Sequence, residues 1–464
     1  MTATASEDLH GELRPTPSKI RPLVIVAACV SALGGFLFGF DTGIISGALL
    51  SLRDDLSLSE GAQQLIVSSL LVGAAFGAYA GGPAADRLGR RKTVLVMAAL
   101  FAAGATVAAV ATGVIELVAA RVILGVAVGA ASTVVPVYIA ELAPARVRGI
   151  LVLTQELMIT VGILCSYIVS YNLSESGNWR LMLGSAALPA VALFVGMLFL
   201  PESPRWLVGE GRESDAEAVL SRTCGTETEA DEELTAIHSE AQSHGDVKWR
   251  EFLAPAIRPA MILGIGLPFF SQVVGINAVI YYAPSILSYA GLADSAAILA
   301  TVGVGIVMVI TTALALVLVD RIGRRPFLVW GTLGVTASLF AIGGAFLVPE
   351  GNPIRTVILI CGLLAYIGTF SVSLALFWLV IAEIWPSRLR SKGMALGSLT
   401  HWIMNFVVAG TVLTLLNSIT ATGMFWLYGL FGIACMVFVR KYLPETSGKT
   451  LEQVSEELIA RSNR

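Results

Sequence analysis

One carboxylate lies inside an otherwise apolar stretch of this sequence. Asp41 belongs to residues 34–45, GGFLFGFDTGII, and no lysine or arginine stands beside it. A second apolar stretch, which begins near Glu116, carries one arginine, Arg121. An uncompensated charge deep in a membrane-spanning helix costs at least about 2.5–3.5 kcal/mol. Two opposite charges in such stretches therefore indicate an ion pair, which would reduce that cost.

The expected depths of these two residues agree. If the first span runs outward and ends near Leu50, and the fourth runs inward from Glu116, both charges lie roughly 8–14 Å below the same surface, at about 1.5 Å per residue. The proton affinity of a carboxylate changes with its distance from a guanidinium. A pair whose spacing changes could therefore bind and release a proton, and a static structural ion pair is the alternative.

Polar and aromatic side chains interrupt other apolar stretches. Gln272, Asn277 and Tyr281 lie in SQVVGINAVIYY, residues 271–282. Amides and aromatic rings together suit a neutral ligand rich in hydroxyl groups, because such sites are largely apolar with a few well-placed polar groups. Hydrogen bonding between neighbouring helices is the alternative, and a tryptophan can also anchor a span at the membrane surface. Further candidates of the same kind are Glu156, Trp378, His401, Trp402 and Asn405.

Only a membrane-embedded scaffold suits this composition. The chain has 464 residues, of which 56% are hydrophobic and 14% charged, whereas soluble domains carry about 25% charged residues. The apolar residues fall in blocks close to the roughly 20 residues that cross a bilayer, where helices satisfy the backbone internally. We therefore predict an all-α membrane protein. Its twelve spans are predicted near 23–49, 62–84, 93–113, 116–140, 151–171, 181–200, 259–287, 296–319, 326–347, 356–384, 394–416 and 422–441.

Lysine and arginine gather in alternate loops, and such loops are typically cytoplasmic. Both termini and the long polar segment between the sixth and seventh spans fall on this side. That segment has acids and bases at helical spacing and is predicted to form short helices. The predicted organisation is a cytoplasmic tail (1–21), a six-helix bundle (22–202), a cytoplasmic helical segment (203–256), a second six-helix bundle (257–442) and a cytoplasmic tail (443–464).

The two predicted bundles repeat three motifs in the same order. DRLGRR at 86–91 recurs as DRIGRR at 320–325, and YIAELAPARVRG at 138–149 recurs as VIAEIWPSRLRSKG at 380–393. LPESPRW at 200–206 recurs as LPETSGK at 443–449. Repeats of one orientation are related by an axis along the membrane normal. They place a binding site between the halves at mid-membrane, with access alternating as the halves rock.

The repeated motifs bring charges of both signs to the predicted inner ends of the spans. Arginine forks can hold carboxylates bidentately. We expect a latch whose ion pairs close the inner face in one state and separate in the other, although such charges also act as topology signals. In the first half the candidates are Asp86, Arg91, Glu141, Arg148, Glu202 and Arg205, with Arg87 and Arg90 beside them; in the second half they are Asp320, Arg325, Glu383, Arg390 and Glu445, with Arg321 and Arg324.

Eight motifs in order resemble the sugar porter family of the major facilitator superfamily, over roughly residues 22–455. They are FGFDTGIISG, DRLGRRK, PVYIAELAPARVRG, PESPRWL, QVVGINAVIYYAP, DRIGRRPFL, AEIWPSRLRSKG and PETSGKTLEQ. The resemblance implies proton-coupled symport of a monosaccharide, such as glucose or xylose, into the cytoplasm by alternating access. It implies that Asp41 couples protons, that Gln272 and Asn277 bind sugar hydroxyls, and that Trp378 and Asn405 contact the sugar.

The sequence departs from that family at several site positions. Many sugar-binding members have glutamine where this chain has Glu156 and His401, and often a glutamine at Ser271 and an asparagine at Met308. The pocket has therefore exchanged amides for an acid and an imidazole. Glu156 could bind a polyol or carry a second proton, and His401 could take up a proton or stay neutral against a neighbouring helix.

Three other functions compete with monosaccharide symport: a proton-coupled inositol or polyol symporter, a passive sugar uniporter, and a sugar sensor that does not transport. No GxSxG, HExxH or Walker A sequence occurs, so neither an enzyme nor an ATP-driven pump is predicted. The five cysteines lack metal or redox spacing, and we expect no cofactor and no metal. The expected partners are a sugar or polyol, protons and the lipid bilayer, without nucleic acid. We expect a monomer in the inner (plasma) membrane.

Overall fold

The chain is helical throughout the part that the structure describes. This computed structural model describes residues 21–243, 249–386 and 389–446, with 449, 453, 454, 457 and 458. Of the predicted tail 1–21, only Arg21 is among them. No strand occurs in these residues. Eleven helices are long and apolar enough to cross a membrane, and a bent pair supplies a twelfth span. The predicted all-α class with two six-helix bundles is thereby confirmed.

The first six spans form the N-terminal half. The first span continues to Asp55 instead of ending near Leu50, and the sixth consists of two consecutive helices. Their bounds are α1 Pro22–Asp55, α2 Glu60–Leu88, α3 Arg90–Val110, α4 Val114–Leu142, α5 Ala145–Ser174, α6 Trp179–Ser185 and α7 Ala187–Leu198. We call the side of the protein at which α1 begins the inner side, and the opposite side the outer side.

Three helices follow at the inner side: α8 Pro204–Gly209, α9 Glu213–Thr223 and α10 Glu227–Ser243. The Ser203 side chain caps α8 by accepting a hydrogen bond from the Trp206 backbone N–H at 3.3 Å. Arg21 donates to the Cys224 carbonyl oxygen at 3.1 Å, which ties these helices to the start of α1. Two 3₁₀ turns, Trp249–Leu253 and Pro255–Ile257, lead into the next span.

The last six spans form the C-terminal half. The seventh span consists of α11 Arg258–Val273 and α12 Ile276–Tyr289, and the eleventh of α16 Arg390–Ala409 and α17 Val412–Ser418. The remaining bounds are α13 Asp294–Ile322, α14 Arg324–Ala345, α15 Pro353–Ile384 and α18 Thr420–Tyr442.

Besides the sixth, two spans are interrupted. In the seventh, Gly275 adopts φ +87°, a left-handed conformation that favours glycine. Further glycines and a proline, Gly264, Gly266 and Pro268, precede this break in the same span. In the eleventh, α16 and α17 meet at 43° around Gly410 and Thr411. The span predicted over 394–416 is therefore a bent pair of helices.

Glycines bring helix backbones into contact within the N-terminal half. A Cβ atom at Gly39 of α1 would collide with the Ile159 carbonyl oxygen of α5, and one at Gly73 of α2 with the Val122 carbonyl oxygen of α4. In lipid, helices associate largely through such close van der Waals packing. These two helix pairs are therefore packed backbone against backbone.

The two halves are hydrogen-bonded to each other towards the outer side. The Tyr167 hydroxyl of α5 donates to the Ile280 carbonyl oxygen of α12 at 3.1 Å. The side chains of Gln64 in α2 and Thr414 in α17 also meet, 3.2 Å apart. This structure is therefore closed on the outer side.

Candidate functional site

Asp41 and Arg121 form a buried ion pair between α1 and α4. Arg121 Nη1 lies 2.8 Å from each carboxylate oxygen, and the two residues are 1% and 0% exposed. Nε and Nη2 of Arg121 have no hydrogen-bond partner in the described part of the chain. The contact is thus made by one nitrogen, not by the two-nitrogen fork that holds carboxylates most strongly.

The sequence places this pair through packing as well as charge. Asp41 lies between Gly39 and Gly43, both of which contact α5 so closely that a Cβ atom would collide there. Although α1 continues beyond Leu50, the long Arg121 side chain still reaches Asp41. An ion pair at this depth has no water to screen it, so small changes in its geometry change its energy strongly.

Three polar side chains form a chain of hydrogen bonds across the seventh and eleventh spans. Asn277 Nδ2 donates to Gln272 Oε1 at 2.6 Å, and Gln272 Nε2 lies 3.0 Å from His401 Nδ1. The break at Gly275 separates Gln272 from Asn277 and allows this contact. Since the amide nitrogen donates, His401 Nδ1 accepts, and its ring is neutral with the proton on Nε2. This arrangement corresponds to the neutral alternative for His401.

Aromatic rings surround His401 and reach the other half. Its ring centroid lies 5.4 Å from that of Trp378 on α15 and 5.5 Å from that of Trp402 on α16. Trp402 in turn lies 5.6 Å from Phe38 on α1. The rings therefore form an apolar surface between the halves, of the kind that packs against the C–H face of a sugar.

Two buried polar atoms on these spans, the Tyr281 hydroxyl and Asn405 Oδ1, make no hydrogen bond of normal geometry among the described residues, and the two side chains lie beside each other. Tyr281 and Asn405 are each 1% exposed. An unsatisfied buried polar atom is costly, and each one calls for an explanation. A hydroxylated ligand that reached these atoms would satisfy both.

Glu156 faces the other half of the protein. It shares one stripe of α5 with Thr160, Ile163 and Tyr167, at spacings of four, seven and eleven residues. Tyr167 on this stripe contacts the C-terminal half through Ile280. Glu156 is partly exposed, and none of the described residues forms an ion pair with it.

The level of Glu156 follows from its neighbours on α5. The adjacent Gln155 packs against Gly35 of α1, and Ile159 packs against Gly39. Phe38 lies between these two glycines and contacts Trp402. Glu156 therefore lies at the level of the aromatic rings, on the opposite side of the interface.

The inner charges of the N-terminal half are paired differently from what we expected. Arg90, not Arg91, holds the acids, with Nε 3.0 Å from Glu141 and Nη2 3.1 Å from Asp86. The Arg91 side chain instead donates to two backbone carbonyl oxygens at the end of α7. In this state the Arg90 side chain thus holds these acids, and the gate role of Arg91 stays a prediction.

Arg148 and Arg205 converge on an acid that sequence reasoning missed. Glu233 of α10 lies 2.8 Å from Arg148 Nη2 and 3.7 Å from Arg205 Nη2. The only available signal was the helical spacing of acids in the polar segment. These contacts join the start of α5 to the inner helices.

In the C-terminal half, too, the first of two neighbouring arginines holds the acid and the second binds a backbone carbonyl. Arg324 Nη2 lies 3.4 Å from Glu383, whereas Arg325 donates to the Arg440 carbonyl oxygen at 2.7 Å. In this state Arg324 thus holds Glu383, and the gate role of Arg325 stays a prediction. Nε and Nη2 of Arg390 have no hydrogen-bond partner in the described part of the chain. The side chain of Asp320 lies outside the described residues.

In each half, a glutamate carboxylate caps the N-terminus of the third span. Gly89 and Gly323 adopt φ +95° and +92° immediately before α3 and α14. The Glu202 carboxylate accepts a hydrogen bond from the Arg91 N–H at 3.0 Å. The Glu445 carboxylate accepts from the N–H groups of Arg324 and Arg325 at 2.9 and 3.1 Å. Each acid thus follows the last span of its half and binds the N-terminus of the third, where a negative charge is favoured.

Known proteins are similar in sequence to this chain over nearly its whole length. The D-xylose transporter of Levilactobacillus brevis is 39% identical over 93% of this chain and 95% of its own. The galactose-proton symporter of Escherichia coli is 37% identical over 93% of both chains. The major myo-inositol transporter IolT of Bacillus subtilis is also 37% identical over 93% of both.

A solved structure shows the same architecture. The xylose transporter XylE from E. coli, in a partially occluded inward open conformation, superposes with a TM-score of 0.80 at 31% sequence identity, over 92% of this chain and 99% of its own. The family described as Sugar (and other) transporter matches residues 27–458. The chain therefore belongs to the sugar porter family of the major facilitator superfamily.

Proposed function

We propose that this transporter imports a monosaccharide together with a proton, by alternating access between its two halves. The buried Asp41–Arg121 pair carries this proposal. A carboxylate without water or a second cation can change its protonation state only when its surroundings change. Rocking of the halves supplies that change.

The coupling follows from the geometry of the pair. A proton on Asp41 removes its negative charge and weakens the contact with Arg121 Nη1. An ionised Asp41 restores the contact. If the distance between the two side chains differs between outward and inward states, the proton binds on one side and leaves on the other. A sugar that binds only with the protonated form is then carried with the proton.

The sugar site is proposed at mid-membrane between the halves. Gln272 and Asn277 would exchange hydrogen bonds with sugar hydroxyls, while the aromatic rings pack against its C–H face. Tyr281 and Asn405 supply buried polar atoms that a ligand can satisfy. We further propose that the protein acts as a monomer in the plasma membrane, with its inner side in the cytoplasm, and that it catalyses no chemical reaction.

The charges at the inner side are proposed to act as a latch. Arg90 with Glu141, and Arg324 with Glu383, each hold one half together. In the opposite state, the acids and arginines of the two halves would come within reach of each other and close the inner side. The position of the helices at the inner side would be adjusted by four charged residues that they carry: Glu202, Glu445, Arg148 and Arg205.

Glu156 supports a second candidate, the symport of a cyclic polyol such as an inositol. A carboxylate accepts hydrogen bonds from two neighbouring hydroxyl groups at once, whereas an amide presents one donor and one acceptor. Glu156 faces the proposed sugar site without a cationic partner among the described residues. It is therefore free to receive a ligand with several adjacent hydroxyls.

The experiment that tests both candidates measures proton entry into proteoliposomes after addition of sugar. Glucose, galactose, xylose, mannose, fructose and myo-inositol are tested separately. We expect a proton current with one monosaccharide; a current with myo-inositol alone would select the polyol. Asp41→Asn should abolish accumulation against a gradient and keep tracer exchange, because that substitution removes the titratable group.

The matched control is Asp54→Asn on the same helix. Asp54 is exposed and pairs only with Arg53, at 2.9 Å, so its loss should leave the proton current unchanged. Accumulation that persists in Asp41→Asn would overturn the coupling role. Tracer exchange without any proton current in the unmodified protein would make it a uniporter.

A further inference from the structure

The break in the eleventh span frees backbone groups in the membrane. Where α16 ends and α17 begins, the first N–H groups of α17 and the last carbonyl groups of α16 lose their partners within the helix. In lipid each unsatisfied group is costly, so other parts of the protein must bind them. Tyr282 binds one, since its hydroxyl donates to the Ala409 carbonyl oxygen at 3.1 Å.

A side chain from the opposite half binds three more of these groups. In the amide orientation that its neighbours can satisfy, the oxygen of Gln64, on α2, lies 2.7 Å from the Thr414 backbone nitrogen and 3.0 Å from that of Leu413. Its nitrogen lies 3.0 Å from the Gly410 carbonyl oxygen. One amide thus acts both as the N-cap of α17 and as the C-terminal partner of α16. Gln64 is 8% exposed, so water does not compete for these bonds.

We propose that Gln64 is a positioning residue that sets the balance between the outward and inward states, by completing the broken helix only when the outer side is closed. Because Gln64 belongs to the N-terminal half and the break to the C-terminal half, these bonds exist only while the halves touch. When the outer side opens, water enters and satisfies the same backbone groups. The amide therefore stabilises the closed state specifically.

These contacts determine the direction in which a substitution of Gln64 shifts the balance between the outward and inward states. In Gln64→Leu, the freed groups stay unsatisfied when the outer side is closed and are hydrated when it is open. The equilibrium must then shift outward. Three lost hydrogen bonds, partly compensated by relaxation, correspond to a shift of about tenfold in the ratio of the two states.

The test measures the accessibility of the contact itself, so it needs no transported sugar. Ser68 lies one turn beyond Gln64 and packs against Gly410. Ser68→Cys is labelled from outside with a membrane-impermeant thiol reagent in oriented vesicles, with and without Gln64→Leu. The protein without Ser68→Cys gives the background from the five native cysteines. Burial raises the pKa of the Cys224 thiol to about 11, so that thiol stays protonated in a neutral assay.

Gln63→Leu is the matched control. Gln63 is buried to the same degree, at 7%, but its amide donates to the Leu58 carbonyl oxygen of its own half at 3.2 Å. We expect labelling to become about tenfold faster with Gln64→Leu and unchanged with Gln63→Leu. If Gln64→Leu does not fold, Gln64→Ala is measured in its place.

Equal labelling rates for Ser68→Cys with and without Gln64→Leu would overturn the proposal, as would equal acceleration by both leucine substitutions. A second readout uses transport. An outward shift lowers the apparent KM for entry and raises it for exit, whereas simple destabilisation would lower the amount of active protein without changing their ratio. The inference rests on alternating access but not on proton coupling, so a uniporter would give the same labelling result.

Discussion

At the scale of single residues, the cost of charge in an apolar interior explains most of the site. Asp41 and Arg121 are almost fully buried, and neither has another ionic partner among the described residues. Replacing one member of a buried pair leaves the other charge uncompensated, which typically costs about 3–5 kcal/mol. Each residue therefore stabilises the other, independently of any role in transport.

This reciprocity predicts the behaviour of a double variant. Arg121→Ala should lower the thermal stability of the protein in detergent strongly, because Asp41 remains buried and unpaired. Adding Asp41→Asn should restore part of the loss, since the remaining side chain is then neutral. Arg53→Ala is the control, because the exposed pair of Arg53 and Asp54 is worth less than about 1 kcal/mol. A double variant no more stable than Arg121→Ala would contradict the explanation.

At the scale of helices, glycine determines which spans can touch backbone to backbone. Gly39 contacts Ile159 so closely that even a methyl group collides, whereas Gly82 of α2 has open space where its Cβ would be. The two positions are equivalent in secondary structure and opposite in surroundings. They therefore separate the effect of helix propensity from that of packing.

Gly82→Ala should change stability by less than about 1 kcal/mol, because alanine favours a helix while its Cβ would crowd the ring of Pro83, the next residue. Gly39→Ala should destabilise by about 1–3 kcal/mol or prevent folding, because overpacking forces α1 and α5 apart. Thermal unfolding of both variants, followed by size-exclusion chromatography, measures the difference. Equal stability of the two would show that the contact between α1 and α5 yields easily.

The spans and the ion pair could be predicted from the sequence, because long apolar runs and isolated charges have few alternatives in a membrane. The bend at Gly275 was also predictable, since glycine and proline mark it locally. The break after Ala409 was not, because its partners Gln64 and Tyr282 are distant in sequence. Nor could Arg90 be told from Arg91: neighbours at the start of a helix differ by about 100° in direction, and only the fold shows which one faces the acids.

At the scale of the whole molecule, the contact between the two halves on the outer side can be fixed by a disulfide bond. A Cβ atom at Gly410 would lie 3.8 Å from the Ser68 Cβ, within the separation that a disulfide requires. Gly410 has φ −77°, which cysteine adopts without strain. The double variant Ser68→Cys with Gly410→Cys should therefore form a disulfide between the halves under oxidation.

Oxidation of that double variant should stop both net uptake and exchange, and a reductant should restore them. Each single variant, treated with the same oxidant, serves as the control and should keep its activity. Transport that continued with the disulfide formed would show that substrate passes without opening this contact. Alternating access by rocking of the halves would then be the wrong description.

The paired glutamates also bear on how the chain folds during synthesis. Glu202 joins the end of the sixth span to the start of the third, and Glu445 does the same for the second half. The first bundle can thus complete its own closure as soon as Glu202 has left the ribosome. The second must wait until Glu445 emerges, after its own six spans have been inserted. A translation pause within residues 203–256 would give the first half time to assemble before the second begins to compete for its helices.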